Sequence, residues 1–337
     1  GGEGVAGDAG SGTLKVRRLL AIAAASASLL WPGSLALGAP AGPGSWGLTA
    51  SQLAADLRSG ASMSRVPADI RPSLSIARVP VYIGCGQGRA AARSKPCIYG
   101  DTESSTSVAV FGDSHAAMWF PALELVAERQ HWRLVGLLKS GCPPVEVNIA
   151  AWFLGGGQYS ACSRWRAEAM AQIAALHPSL VIVTWARWLE EPEARPMPGV
   201  PSRYGSAWPD GMAATFSFLR HAARRVTFIS DVPTLDASAP LCLMKHRADL
   251  QACTPTRSAA VALPTVKAEE LQLARQAGVS PIDPTPWFCT ETTCPLIVNH
   301  ILVYHDNSHI TPQWAHFIAP VLAGALLSVP GRGLRHS

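Results

Sequence analysis

The stretch "SVAVFGDSHAAMWF", Ser107 to Phe120, packs an apolar run, a glycine, an aspartate, a serine and a histidine into one short span. Val108 to Phe111 are β-branched, small or aromatic and suit a buried strand, and Gly112 tolerates backbone angles that other residues resist. Ala116, Trp119, Phe120, Leu123 and Ala127 then recur at helical spacing, which predicts a helix over Ala116 to Arg129 that begins near Ser114. A serine at this junction has two readings: it caps the helix, or it carries chemistry. The rest of the chain has to separate them.

Outward from that corner, strands and helices alternate. The apolar runs predict strands at "VAVFGD", at Trp132 to Lys139, at Ser179 to Ala186, at Arg225 to Asp231, and in the short "VSPIDP". Helical patterns cover Arg164 to Leu176, Trp208 to Arg224, Val266 to Ala277 and Thr311 to about Leu327. "SLVIVTWA" is nearly all apolar, as a strand buried on both faces requires. Alternation of this kind implies α/β architecture, a mostly parallel sheet of about five strands covered on both faces. Ligands of such sheets sit at the carboxyl ends of the strands, and Ser114 lies at one of those ends.

The chain has 337 residues, 48% hydrophobic and 15% charged, with a formal charge of +5. Its basic spots, such as Arg224-Arg225, are short and lack interleaved aromatics, so nucleic acid is not the expected partner. "KVRR" (Lys15 to Arg18) precedes a charge-free apolar run from Leu19 to Ala39. That pattern fits a membrane span with a cytoplasmic basic flank, or a signal peptide cleaved near "ALGA" (Ala36 to Ala39). A first residue other than Met favours a fragment of a longer chain, with this run as its last membrane helix. Both readings put everything after residue 40 outside the cytoplasm. The expected layout is a linker and apolar segment over 1–40, and a linker with a disulfide-stapled extension over 41–104. A catalytic domain over 105–330 and a tail over 331–337 complete it.

Eight cysteines agree with an exported chain, and pairing of sequence neighbours is the economical scheme: Cys85–Cys97, Cys142–Cys162, Cys242–Cys253 and Cys289–Cys294. No C-x-x-C occurs, so zinc is not expected.

A serine nucleophile needs a base and a group to orient it. His131, His177 and His221 fall at helix–strand connections, His246 sits in a basic loop, and the side chain of His115 is expected to point away from its neighbour Ser114. "NHILVYHDNSHITPQW", Asn299 to Trp314, supplies the best partners: Asp306 and His309 are three residues apart and share one face of a turn. Against this, Asp306 or Ser308 could cap the last helix, with Pro312 in its first turn, and His300, His305 and His309 could form a metal cluster. Too few carboxylates accompany those histidines, and no metal is expected.

With these residues in view, "FGDSH" and "DNSHIT" resemble the first and last blocks of the SGNH (GDSL-like) hydrolase superfamily. More narrowly, "VAVFGDSHAAMWFPALE", "SGCPP", "LVIVTWARW" and "DNSHIT" resemble the C-terminal SGNH domain of membrane-bound acyltransferase-3 proteins, over roughly residues 45 to 328. The resemblance implies the SGNH hydrolase fold, a three-layer α/β/α, flavodoxin-like arrangement of a mostly parallel sheet of about five strands, with Ser114 as nucleophile, His309 as base and Asp306 as orienting acid. It implies an oxyanion hole built from the Ser114 N–H, a glycine for which Gly141 is the candidate, and an asparagine after the third strand. Thr184-Trp185-Ala186-Arg187-Trp188 offers no asparagine there; Arg187 is either a charge for the oxyanion or a structural ion-pair partner. The helix at Ser114 would aim its positive end at the oxyanion.

The function so implied is extracytoplasmic O-acyl transfer through a Ser114 ester to a hydroxyl of a cell-surface glycan, acetyl being the expected group. No cofactor is expected in the domain; the acyl group is relayed from acyl-CoA by a membrane module upstream. A secreted carbohydrate or lipid esterase is the alternative. A non-catalytic glycan-binding domain is the third reading, for which the eleven tryptophans would supply stacking surfaces. The "GGG" at 155–157 lacks a following Lys-Ser/Thr and reads as a loop over the site rather than a phosphate loop. The long loop from Val232 to Leu263 is a candidate for shaping acceptor binding.

Overall fold

A computed structural model describes residues 47–77, 84–149, 157–187, 207–261 and 264–329. The chain divides into two units, Gly1–Ala41 and Gly42–Ser337, and every described residue belongs to the second. The apolar segment at 15–39, Gly155, Gly156 and the 331–337 tail lie outside the described residues.

Two helices come first, α1 (Ala50–Ala61) and the single turn α2 (Leu74–Ala77). They are followed by β1 (Cys97–Gly100), β2 (Ser107–Gly112), α3 (Ser114–Ala117), α4 (Phe120–Gln130) and β3 (Arg133–Leu138). Then come α5 (Ser160–Leu176), β4 (Leu180–Thr184), α6 (Ala207–Ala222), β5 (Val226–Ile229), α7 (Ala239–Lys245) and α8 (Arg257–Ala260). The chain closes with α9 (Pro264–Gln276), β6 (Ser280–Ile282), a hairpin of β7 (Ile297–Val298) and β8 (Ile301–Leu302), and α10 (Pro312–Leu327). Among the described residues no helix is long and apolar enough to cross a membrane.

The main sheet runs β1-β3-β2-β4-β5-β6. Its last five strands are parallel, and β1 pairs antiparallel with β3 along one edge. The expected count of about five matches the parallel strands; the sixth is β1. Sequence periodicity misses β1 because the strand is four residues long, exposes Ile98 and ends in glycine. Counted along the chain, the parallel strands lie in the order 2-1-3-4-5, the flavodoxin-like arrangement, whose switch point falls between β2 and β4.

Both faces of the sheet are covered, so the central strands are apolar throughout. Val108 and Val110 of β2, with Leu180 and Ile182 of β4, join a core with Trp119 and Trp314 beneath α4 and α10. Ala109, Phe111, Val181 and Val183 face the opposite core with Trp165, Trp185 and Phe216 beneath α5 and α6. The four disulfides pair sequence neighbours: Cys85–Cys97, Cys142–Cys162, Cys242–Cys253 and Cys289–Cys294. Trp119, Trp132, Trp165, Trp185, Trp208, Trp287 and Trp314 are all buried, so the described tryptophans are core residues rather than sugar platforms.

Candidate active site

The turn after β2 is built around Asp113. Its Oδ1 accepts the His115 N–H at 2.8 Å, capping α3, and its Oδ2 accepts the Ala186 N–H at 3.0 Å from the end of β4. Asp113, not Ser114, is therefore the helix cap, and the serine hydroxyl is left for another partner. Burial raises the pKa of the Asp113 carboxyl. Gly112 is required by close approach: a Cβ there would lie 2.1 Å from the Thr184 carbonyl oxygen and 2.6 Å from the Ala116 Cβ. The expected long helix is broken: α3 has four residues, and α4 restarts at Phe120 with Pro121 in its first turn. What Ser114 gains from helix geometry is thus the N–H groups of one turn, not the dipole of a long helix.

The partner loop, Tyr304 to Ile310, is closed on itself by a bridge between those two residues and by the His305 N–H donating to the His309 carbonyl at 3.0 Å. It is tied from outside by N–H groups of Leu235 and Ala239, which donate to the carbonyls of Asn307 and Asp306. Thr311 caps α10 through Trp314 N–H, with Pro312 at the first helical position, so neither Asp306 nor Ser308 serves as that cap.

Held this way, Asp306 and His309 meet Ser114. His309 Nδ1 lies 2.8 Å from Asp306 Oδ2, and His309 Nε2 lies 2.9 Å from Ser114 Oγ. With Nδ1–H donating to the carboxylate, Nε2 is the acceptor that faces the serine hydroxyl. Burial works to raise the Asp306 pKa. The hydrogen bond and charge of His309, with the backbone N–H groups of His309 (2.7 Å) and Ser308 (2.8 Å), win and hold it well below the usual carboxylate range. Burial also lowers the pKa of His305, which stacks on His309 with ring centroids 5.4 Å apart.

Ser114 and His309 line a cavity of about 680 Å³ together with Gly141, Lys139, Arg89 and Leu241. Gly141 has a left-handed φ of +61°, a conformation that favours glycine, at the turn after β3. Lys139 is buried beside it; burial lowers its pKa to about 8, and its ammonium donates to the carbonyls of Gly88 (2.9 Å) and Arg89 (2.7 Å). The Tyr159 hydroxyl also donates to the Arg89 carbonyl, at 2.8 Å. These contacts pin the segment behind Cys85 as one wall. Ser238 and Leu241, at the start of α7, also line the cavity. Neither the Lys139 clamp nor the role of Arg89 was legible in the sequence, because both depend on β1 bringing that segment to the sheet edge.

Arg187 is placed elsewhere, which corrects its candidacy as an oxyanion charge. Its guanidinium binds Glu270 Oε2 through Nε (3.2 Å) and Nη2 (3.0 Å), its N–H donates to Asp231 at 2.8 Å, and it does not line the Ser114 cavity. His300 is likewise apart, with Nδ1 2.5 Å from Asp69 Oδ1. Candidate ligand atoms of His305, Asp306 and His309 lie within 4.8 Å of one another, but Asp306 and both His309 nitrogens are committed to the Ser114 chain. His131 and His177 stand at helix–strand connections, as C-caps of α4 and α5, whereas His221 lies within the last turn of α6. His115 is buried, with Nδ1 on Asp231 rather than toward Ser114, and its ring packs against His309 with centroids 4.6 Å apart.

The family model for the SGNH domain fused to AT3 domains matches residues 84–324. The chain belongs to this SGNH family. Membership makes it an acyltransferase or ester hydrolase. The SGNH domain here is also similar in fold to the solved structure of the periplasmic domain of a lipopolysaccharide acetyltransferase from Salmonella ser. Paratyphi A. That likeness has a TM-score of 0.52 at 16% identity, covering 68% of this chain and 87% of that one. A proposed arylesterase from Agrobacterium tumefaciens str. C58 overlaps at a TM-score of 0.36 and 14% identity, over 67% of this chain and all of that one. No curated protein matches this chain by sequence.

Proposed function

We propose that this SGNH domain moves an acyl group, acetyl in the first instance, through an ester on Ser114 to a hydroxyl of a cell-surface glycan outside the cytoplasm. The observation that carries the reading is the continuous chain Asp306–His309–Ser114, with contacts of 2.8 and 2.9 Å, open to a cavity of about 680 Å³. His309 takes the Ser114 proton as Oγ attacks the acyl carbonyl, and Asp306 stabilises the imidazolium that forms. The developing oxyanion is met by the Ser114 N–H and by the backbone at Gly141. His309 then returns the proton to the leaving group, and the acyl group rests on serine. In the second half, the same imidazole activates the incoming hydroxyl and the ester is released to it.

The fusion named by the family supports relay of the group, drawn from acyl-CoA, by a membrane module of the same protein. The lipopolysaccharide acetyltransferase neighbour supports a glycan as acceptor and an extracytoplasmic site. Water entering in place of the sugar hydroxyl gives ester hydrolysis by the same residues.

The test is trapping of the ester. Incubation with p-nitrophenyl acetate, acid quench and peptide mass spectrometry should find one added acetyl on the peptide holding Ser114, and none in Ser114→Ala. An adduct on another residue, or full turnover by Ser114→Ala, overturns the nucleophile assignment. Adding bacterial surface polysaccharide then separates the acceptors: acetylated glycan supports transfer, and acetate release alone supports the esterase.

A further inference from the structure

His115 follows the nucleophile directly, yet its side chain ends in the interior. It is fully buried, and its Nδ1 lies 2.6 Å from Asp231 Oδ1. Asp231 follows β5 and is also buried. Its carboxylate accepts the Arg187 N–H at 2.8 Å and its own neighbour's, Val232, at 2.8 Å. The pair thus joins the ends of β4 and β5 to the nucleophile turn. Such a buried pair is costly to desolvate, and apolar side chains of similar volume would hold a core equally well. Its location supplies the reason for it.

The His115 ring packs edge-to-face on His309, with the planes at 62°, while its buried Nε2 has no hydrogen-bond partner among the described residues. His309 is half-exposed on a loop and is therefore enclosed by two imidazoles, His305 stacked on it and His115 set against it. We propose that the Asp231–His115 pair is a positioning element for the base, holding the His309 ring so that Nε2 stays on Ser114 while Nδ1 stays on Asp306. This rests on the reading of Ser114 as nucleophile and His309 as base.

The pair also sets the charge around His309. The groups that face this region are Asp113 and His115 from the nucleophile turn, Asp231 after β5, Arg187 after β4, and the Tyr304 hydroxyl, His305 and Asp306 from the loop before α10. Burial works against a charged His115, but the charge and hydrogen bond of Asp231, then Asp113 and Asp306, raise its pKa to about 9. An imidazolium at His115 sets a positive charge against the His309 ring, which a glutamine at that position lacks.

The experiment compares the full chain with His115→Gln, Asp231→Asn, the double variant and Ser114→Ala. Readouts are thermal melting, kcat and KM for p-nitrophenyl acetate, and the pH profile of kcat/KM. Each single variant should lower kcat by about 10- to 100-fold with KM within about twofold, and the double should be no worse than the poorer single, as for residues acting as a unit. The acid limb of kcat/KM should move to higher pH in His115→Gln. A folded His115→Gln with unchanged kcat and unchanged limb overturns the proposal, as does additivity of the two singles. If one variant fails to melt cooperatively, the other decides. Nitrogen-15 NMR of the wild-type imidazoles is independent of both: a protonated His115 near neutral pH is expected, and a neutral one overturns the proposal. Ser114→Ala separates the two readings, because activity retained there removes the nucleophile whatever the His115 variants do.

Discussion

His309 Nε2 lies 2.9 Å from Ser114 Oγ although 195 positions separate the two residues in the chain. The approach is arranged by packing, not by local sequence. Ser114 is carried by the turn after β2, while α10 lies against α4, so the loop that precedes α10 falls beside that turn. Asp306 then sets the ring by taking Nδ1–H. Asp306→Asn keeps the shape of the side chain and its acceptor for the backbone N–H groups but presents the wrong group to Nδ1. By analogy with other serine triads, kcat for p-nitrophenyl acetate should fall by about 10³- to 10⁴-fold, with little change in KM. Steady-state kinetics against the wild type measure it; a loss below tenfold would show that His309 does not depend on Asp306.

Gly112 is a packing constraint behind the nucleophile. Gly112→Ala drives a Cβ against the Thr184 carbonyl and Ala116, where backbone on one side and a helix on the other leave no room. The expected cost is about 1–3 kcal/mol, the usual range for overpacking, seen as a lower melting temperature. Ser114 should be displaced as well, so kcat should fall more than stability alone accounts for.

Stability should depend on pH in two opposite ways. His115 has a folded pKa raised from 6.5 to about 9, so its contribution is complete below 6.5 and is lost as pH rises through about 9. Asp306 has a depressed folded pKa, so its contribution is present above the ordinary carboxylate range and is lost as pH falls below it. Thermal melts across this range should show a decline on the alkaline side that Asp231→Asn flattens. An alkaline decline of equal size in that variant would assign it to other groups.

Lys139 holds one wall of the cavity by two carbonyl contacts. Lys139→Met retains much of the volume but leaves the carbonyls of Gly88 and Arg89 without that donor, at a cost of about 1–3 kcal/mol. Because Arg89 and Gly141 share this wall, the variant should also raise KM for bulky acyl esters more than for acetyl esters. Melting and a chain-length series of p-nitrophenyl esters test both effects.

Much of this molecule is legible one segment at a time. The parallel strands announce themselves because burial on both faces makes Val108–Phe111 and Leu180–Val183 continuously apolar. The disulfides follow because each joins cysteines that are neighbours in the sequence. Strand β1 escapes notice: its apolar content is too small to signal, and pairing with β3 is what makes it a strand. The cap also escapes. Asp and Ser are both good N-caps, and only the Ala186 N–H approaching from β4 shows why Asp113 takes the role and Ser114 does not.

The sequence by itself determined an alternating α/β chain, a G-D-S turn at the carboxyl end of its first parallel strand, and a D-x-x-H loop before its last helix. These are local patterns, set by periodicity, turn chemistry and spacing. Tertiary structure alone decided what each polar side chain faces. It sent Arg187 to Glu270, turned His115 inward to Asp231 and His309, and joined Ser114 to His309 across the fold. Partners for buried charges come from a neighbouring strand end, as Asp231 after β5 does, or from a helix covering the sheet, as Glu270 of α9 does. Which of these lies nearest is a property of the packed sheet. The opening "FGDSH" is therefore two sites in one turn: a serine presented to the cavity, and a histidine that the sheet turns inward behind the base.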